Sequence, residues 1–285
     1  MRALRNGLLL LWGSLIALLA PSGSAPARPL DEVIESKSLR VVAYLDNAPF
    51  SWLDGNEPRG IDVDLGRALA RRLGVKAEIV LRMQGEKQDD DLRVNVWKGP
   101  LTGGGVGDVM MHVPYDRELA LRNREAVVGN PYFEERVAVF VHPERPDGAF
   151  DFTAFKTEKI GVQIGTVADY FLMTYEDGAI AENVAHHVKP IEGAKRFLAK
   201  ETSALMGVRS NVEGLLHTLN GKARMLEPAM PGIVRSRWVI AMAWKENSRD
   251  LGYALGAALE MLRTSGELRK IFARYKVTYA PPPEP

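Results

Sequence analysis

The chain has 285 residues, 46% of them hydrophobic, so it is long enough to bury one large core or two ordinary ones. Its 37 basic and 36 acidic residues nearly cancel, which argues against nucleic acid or a membrane surface as the main partner. The absence of cysteine excludes disulfides, thiol chemistry and a lipidated cysteine anchor.

Residues 1–27 are predicted to form a cleavable signal peptide. Arg2 and Arg5 precede an apolar run over residues 8–19, and Ala25-Pro26-Ala27 offers a cleavage site of the A-x-A type. The apolar run is too short for a membrane span, although a retained N-terminal anchor is the alternative. We therefore expect a diffusing, monomeric protein of the periplasm.

Strands and helices alternate along the rest of the chain. The predicted strands are 39–45, 76–81, 108–113, 136–142, 159–163, 183–188, 204–208 and 237–244. The predicted helices are 61–73, a charged segment at 89–97, 168–175, 194–199, 212–219 and a long region at 249–275. This alternation predicts an α/β fold with mixed, mostly parallel sheets covered by helices. Asp62 and Asp64 lie in a helix's first turn, where we expect them to complement the helix dipole.

Five stretches of the sequence, in this order, resemble one family. They are residues 39–74, D-V-M-M at 108–111, N-P-Y-F at 130–133, K-I-G-V-Q-I-G-T at 159–166 and E-L-R-K-I-F-A-R-Y at 267–275. Together they are similar to the extracellular solute-binding proteins of family 3, the periplasmic receptors of importers for polar amino acids. The resemblance covers nearly all of the chain after the signal peptide. It implies the two-lobed type II periplasmic binding fold, with solute trapped between the lobes.

The resemblance also implies two extended crossovers between the lobes. We assign them to 136–142 and 237–244, so the first lobe comprises 28–140 and 237–278 and the second lobe 141–236. A Pro-rich tail, 279–285, is expected to be disordered. Such crossovers permit closure, and a solute that touches both lobes favours the closed state.

The strand at 108–113 is expected to deliver polar side chains to the cleft. Ligands of open α/β sheets collect outside the carboxyl ends of strands, and His112, Tyr115 and Arg117 follow this strand's end. The resemblance implies that an arginine near this strand clamps the ligand's carboxylate, and Arg117 is the nearest match. The step His112-Val113-Pro114 is shorter than the family's loop, and an exposed arginine on a turn is the alternative.

Two further stretches suggest a negatively charged ligand. Gly165 and Thr166 precede a helix, where backbone N–H groups and a hydroxyl can receive an anion; simple N-capping by Thr166 is the alternative. Many family members carry an aspartate after the strand at 204–208 that pairs with the ligand's ammonium group. Here Val208 or Arg209 takes that place, which favours a di- or tricarboxylate over an ordinary amino acid.

Aromatic side chains near the first strand are candidates for a wall of the site. Phe50 and Trp52 lie in the turn after that strand, and a flat or apolar ligand needs such surfaces. Asp46, in the same turn, either caps the loop or binds a donor on the ligand. Trp97 is expected to lie in the core.

The sequence contains no pattern that indicates a metal site or nucleophilic catalysis. The five histidines lack metal-ligand spacing, and His186 and His187 are expected on opposite faces of a strand. No nucleophile-elbow motif occurs. We therefore predict a non-enzymatic protein without a cofactor or metal.

Three functions remain open from the sequence. The first is a receptor that passes a carboxylate-bearing solute to an ABC permease. The second follows from D-V-M-M-H-V-P and N-P-Y-F, which resemble accessory proteins of quinoprotein alcohol dehydrogenases; the protein would then bind a dehydrogenase or carry pyrroloquinoline quinone. The third is a lyase acting on small acids, for which His112 is the nominated acid or base.

Overall fold

The computed structural model describes residues 27–146, 150–233 and 235–284. Residues 1–26 of the predicted signal peptide lie outside the described residues. The strands are β1 Ser38–Tyr44, β2 Trp52–Asp54, β3 Glu57–Arg59, β4 Lys76–Arg82, β5 Val109–Pro114, β6 Ala126–Val141, β7 Ile160–Gln163, β8 Val184–His187, β9 Ala204–Val208, β10 Arg224–Leu226 and β11 Arg237–Lys245.

The helices alternate with these strands. They are α1 Leu30–Glu35, α2 Ile61–Arg72, α3 Gln88–Leu92, α4 Arg117–Arg122, α5 Val167–Thr174, α6 Pro190–Leu198, α7 Arg209–Thr218, α8 Arg249–Thr264 and α9 Glu267–Arg274. A π-helical turn at Arg93–Trp97 continues α3, and short 3₁₀ turns lie at Phe152–Lys156, Tyr175–Gly178 and Ala181–Asn183.

The main sheet has the strand order β4-β1-β5-β11-β6-β9-β7-β8, with β10 on β6. The strands at both ends pair in parallel: β1 with β4 and β5, and β7 with β8 and β9. The two long strands in the middle, β6 and β11, run antiparallel to their neighbours. The predicted mixed, mostly parallel α/β fold is therefore confirmed.

Strand β6 joins two halves of the molecule. Its residues 126–136 pair with β11, whereas Val137–Val141 pair with β9. We call residues 27–136 and 237–284 the first half, and the described part of 137–236 the second half. The change of partner precedes the predicted lobe boundary at residue 140, and the lobe boundaries themselves stay a prediction.

Each half has its own hydrophobic core. In the first half, α2 buries one face, with Ile61, Leu65 and Leu69 wholly buried, and the rings of Phe133 and Phe272 stack 4.7 Å apart. The second half buries a separate cluster of aromatic and aliphatic side chains, which includes Phe152, Phe155, Phe171, Val162 and Met206. Two cores joined mainly through strands leave room for a cleft between the halves.

The C-terminal region differs from the sequence prediction in two respects. The predicted helical region 249–275 is broken at Gly266, whose φ of +72° is the left-handed conformation that ends many helices. Residues 279 and 280, at the start of the tail that was expected to be disordered, contact the first half. The amide of Glu134 donates to the Ala280 carbonyl, and the Tyr279 ring packs 5.1 Å from Phe272, because these apolar residues cover the first half's core.

Candidate functional site in the cleft

A cavity of about 250 Å³ lies between the two halves, and we call it the central cavity. The first half contributes Tyr44, Asn47, Phe50, Gln84, Gln88, His112 and Pro114, the second half Val208 and Asn211, and strands β6 and β11 contribute Glu135 and Trp238. Tyr44, Pro114 and Val208 end strands β1, β5 and β9. The cavity therefore occupies the carboxyl ends of strands, where open α/β folds bind ligands.

Two further cavities adjoin the central cavity. The side cavity, about 110 Å³, lies within the second half between β7, β9 and the starts of α5, α6 and α7. The outer cavity, about 590 Å³, lies between the halves, where the turn after β1 and the end of α9 meet the face of α7. Asn211 lines all three cavities, so the start of α7 is their common wall.

A buried network fixes His112 at the wall of the central cavity. Asp62 is completely buried; the Tyr132 hydroxyl donates to its Oδ1 at 2.5 Å, and His112 Nδ1 lies 3.1 Å from its Oδ2. With Asp62 accepting, Nδ1 carries the imidazole proton and Nε2 has no hydrogen-bond partner within the described residues. The His112 backbone has a φ of +62°, a conformation that non-glycine residues adopt rarely and often at functional sites. The geometry thus presents Nε2 as an acceptor.

Neighbouring aromatic side chains hold this network in place. The Phe50 ring meets the His112 ring edge-on, with centroids 4.3 Å apart. Tyr44 donates to Asp91 Oδ2 at 2.8 Å, and burial together with Asp91 raises the pKa of Tyr44 well above its ordinary value. Burial, and then Asp62, likewise raise the pKa of Tyr132. Both hydroxyls therefore stay protonated and act as fixed donors.

Sequence reasoning assigned Asp62 to the helix dipole and missed this contact. Asp62, Leu65 and Leu69 follow the i, i+3, i+7 spacing of the buried face of α2. Asp64 falls outside that stripe, although Arg274 and Tyr275 contact it. A carboxylate within an apolar stripe was the signal that could have indicated a buried partner.

Glu135 is a second functional candidate that the sequence analysis did not single out. Its side chain, on β6, lines the central cavity although the residue is only 1% exposed. It accepts hydrogen bonds from the Ser210 hydroxyl and, at 2.9 Å, from the Arg136 amide. Burial raises the pKa of Glu135 above its ordinary value, and the donors from Ser210 and Arg136 offset part of that effect. No local pattern distinguishes it from the adjacent Glu134.

The two arginines expected to grip the ligand do not line any of these three cavities. Strand β5 continues to Pro114, so Arg117 begins the exposed helix α4 and Tyr115 before it is also exposed. Arg209 is buried; its guanidinium donates to the Thr278 carbonyl and lies 5.4 Å from the Phe133 ring centroid. The structure therefore does not bring Arg117 and Arg209 together around a ligand.

The predicted anion site at Gly165 and Thr166 uses its polar groups within the protein. Thr166 is the N-cap of α5, accepting from the Asp169 amide at 3.2 Å and donating to the Gln163 carbonyl at 2.8 Å. The Gly165 amide donates to Asp169 Oδ2 at 2.8 Å. This matches the alternative of N-capping, and Thr166 also lines the side cavity.

The remaining candidates divide between the cavities and the core. Asp46 and the half-buried Trp52 line the outer cavity, where Trp52 meets the Tyr275 ring edge-on. Phe50 is buried and lines the central cavity, whereas Trp97 packs against a core cluster of the first half.

On β8, one of the two adjacent histidines is exposed and the other is buried. His186 faces solvent and His187 lies inside, so they point to opposite faces as expected. Within the residues that the structure describes, no group of three or more His, Cys, Asp or Glu side chains could hold a metal ion. No helix in the described ranges is both long and apolar enough to cross a membrane.

Comparisons with known proteins agree with this architecture. The family model of bacterial extracellular solute-binding proteins, family 3, matches residues 39–92. A probable histidine-binding protein of Neisseria gonorrhoeae is 25% identical over 274 residues, 92% of this chain and 91% of that protein. The resemblance to family 3 is confirmed.

Solved structures share the fold. An ancestral cationic amino acid solute-binding protein has a TM-score of 0.67 at 19% identity, covering 87% of this chain and 99% of that one. An amino acid ABC transporter substrate-binding protein of Streptococcus pneumoniae, bound to L-arginine, has a TM-score of 0.56 at 20% identity, covering 88% and 99%. The chain therefore has the type II periplasmic binding fold.

Proposed function

We propose that this solute-binding protein captures an amino acid in the central cavity, in the periplasm, and passes it to an ABC permease in the membrane. The observation that carries the proposal is the lining of that cavity by both halves. His112 and Phe50 come from the first half, and Val208 and Asn211 come from the second. The relatives named for histidine, cationic amino acids and L-arginine support the amino acid as the class of solute.

A ligand in this position would favour closure of the halves. Because it contacts residues of both halves only when they are close together, its binding shifts the population toward the closed state. Neutral amides provide most of the polar wall, namely Asn47, Gln84, Gln88 and Asn211. The buried Asn47 Nδ2 has no hydrogen-bond partner among the described residues, so this amide keeps an unused donor beside the cavity.

The cavity supports an ordinary amino acid over the polycarboxylate that the sequence favoured. That expectation rested on Arg209, whose guanidinium instead binds the Thr278 carbonyl. Two acceptors face the cavity, Glu135 and His112 Nε2, and both suit an α-ammonium group. The α-carboxylate would then receive amide donors such as Asn47 Nδ2.

Isothermal titration and thermal unfolding against single amino acids, citrate and pyrroloquinoline quinone test the proposal. At 100 times its Kd, a ligand that binds only the folded state adds about 2.7 kcal/mol of stability, which raises the melting temperature by several degrees. We expect this response from an amino acid and its loss in Asn211→Ala. Asn56→Ala, in the exposed β2–β3 turn, is the matched control and should bind normally.

The two other functions stay predictions from the sequence. A response only to pyrroloquinoline quinone would favour the accessory role with a quinoprotein dehydrogenase and would contradict amino acid capture. Chemical conversion of a bound acid would move the protein to the lyases. His112 and Glu135 are the central-cavity groups whose replacement would then abolish turnover.

A further inference from the structure

We propose that the bound amino acid has an uncharged aliphatic side chain, which lies in the side cavity of the second half. This inference rests on the proposed function, since it concerns the same ligand. It differs from what the names of the relatives suggest, because those names specify histidine, arginine or cationic amino acids.

The side cavity lies next to the central cavity and shares part of its wall. Val208, Asn211 and Trp238 line both of them. A ligand whose ammonium and carboxylate groups lie in the central cavity can therefore extend its side chain past Trp238 into the second half.

Most of the described residues that line the side cavity are apolar, and none of them is a carboxylate, a lysine or an arginine. Its apolar surface comes mainly from Val137, Val167, Leu205, Met206, Val212 and Trp238. A cationic side chain placed there would lose its hydration and gain no opposite charge, which is strongly unfavourable. An aliphatic side chain would instead gain the free energy of leaving water.

His187 is the titratable group in this wall, and its surroundings keep it neutral. The residue is 7% exposed, and its ring lies so close to Gly193 that a Cβ there would fall 2.1 Å from Cε1. Burial, and then the nearby Arg196, lower the pKa of His187 below its ordinary value. The cavity therefore presents no charge to a ligand near neutral pH.

The volume limits the size of the side chain. At about 110 Å³, the cavity is smaller than the roughly 150 Å³ of an engineered apolar cavity that holds benzene. A branched aliphatic group fits this space, whereas an indole does not. Leucine, isoleucine and valine are therefore the expected ligands.

Titration calorimetry with L-leucine, L-arginine and glycine tests the inference on the full mature chain. We expect L-leucine to bind about tenfold or more tightly than L-arginine or glycine, the discrimination that a hydrophobic pocket achieves. Tighter binding of L-arginine would overturn the inference and leave the proposed function intact. If no amino acid binds, the proposed function fails.

Two matched variants test whether the ligand's side chain lies in the side cavity. Val167 is 48% exposed and lines the side cavity at the first turn of α5, whereas Tyr170, one turn later, is 65% exposed and does not line it. Both positions tolerate a charge because they are exposed. Val167→Asp should weaken L-leucine binding about tenfold by placing a charged, hydrated carboxylate against the aliphatic side chain of the ligand, while Tyr170→Asp should change it less than about twofold. Equal effects of the two variants would contradict the assigned position.

Discussion

The two halves contribute different chemistry to the same cleft. The first half fixes polar groups: the completely buried Asp62 orients His112, and strand β6 adds the buried Glu135. The second half supplies an apolar cavity whose one titratable wall residue is the neutral His187. The first half can therefore bind the ammonium and carboxylate groups that all amino acids share, and the second half can distinguish their side chains.

Removing the Asp62 carboxylate should have the largest effect on stability. In Asp62→Ala the Tyr132 hydroxyl and His112 Nδ1 both lose their acceptor, and one of them is completely buried. Each buried donor left without a partner costs about 1–3 kcal/mol, so we expect a loss of about 2–4 kcal/mol in the free energy of unfolding. Urea unfolding monitored by tryptophan fluorescence measures it.

Asp62→Asn is the informative companion variant. Its amide oxygen still accepts one of the two hydrogen bonds, so it should lose less stability than Asp62→Ala. A loss below about 1 kcal/mol in Asp62→Ala would show that the network does not stabilise the first half.

Gly193→Ala applies a comparable test to the second half. A Cβ at this position would lie 2.1 Å from His187 Cε1, so the ring must move toward the side cavity. We expect a loss of about 1–3 kcal/mol, typical of overpacking, together with weaker L-leucine binding and unchanged glycine binding.

Gly214→Ala serves as the control for that substitution. It also lies within a helix, α7, but the nearest atom to its Cβ is 3.5 Å away. The alanine should be neutral or stabilise the protein by up to about 1 kcal/mol through helix propensity. If both variants lose the same stability, the contact between Gly193 and His187 is not the cause.

The buried acid and the buried histidine should respond to pH in opposite directions. The raised pKa of Glu135 means that the folded state binds its proton more tightly than the unfolded state does. Stability is therefore lost as pH rises from the ordinary glutamate pKa through the raised value. Glu135→Gln, which keeps an acceptor for Ser210, should remove that loss. Melting temperatures of both proteins between pH 4.5 and 8 measure it, and parallel curves would contradict it.

The sequence predicted those helices and strands whose hydrophobic periodicity is visible within a short stretch of the chain. Helix α2 and strand β9 follow from periodicity within a dozen residues. In the structure, each of their ends lies within one residue of the predicted end. The directions of the polar side chains depend on distant partners instead. Asp62 and Tyr132 are separated by 70 positions, and Arg209 and Thr278 by 69. Local spacing places Asp62 on the buried face of α2, but it cannot identify Tyr132 as its partner or Thr278 as the partner of Arg209.

Replacing His187 should have the smallest effect on stability. Its pH dependence should be opposite in direction to that of Glu135 in the first half. Because burial lowers the pKa of His187, the unfolded state takes up the proton first, and stability is lost as pH falls below the ordinary histidine pKa of about 6.5. His187→Gln should remove that loss between pH 7 and 5. His217→Gln, at an exposed position on α7, is the control and should follow the wild type. A His187→Gln curve that also follows the wild type would mean that the second half does not hold this imidazole neutral, and the uncharged character of the side cavity would lose its support.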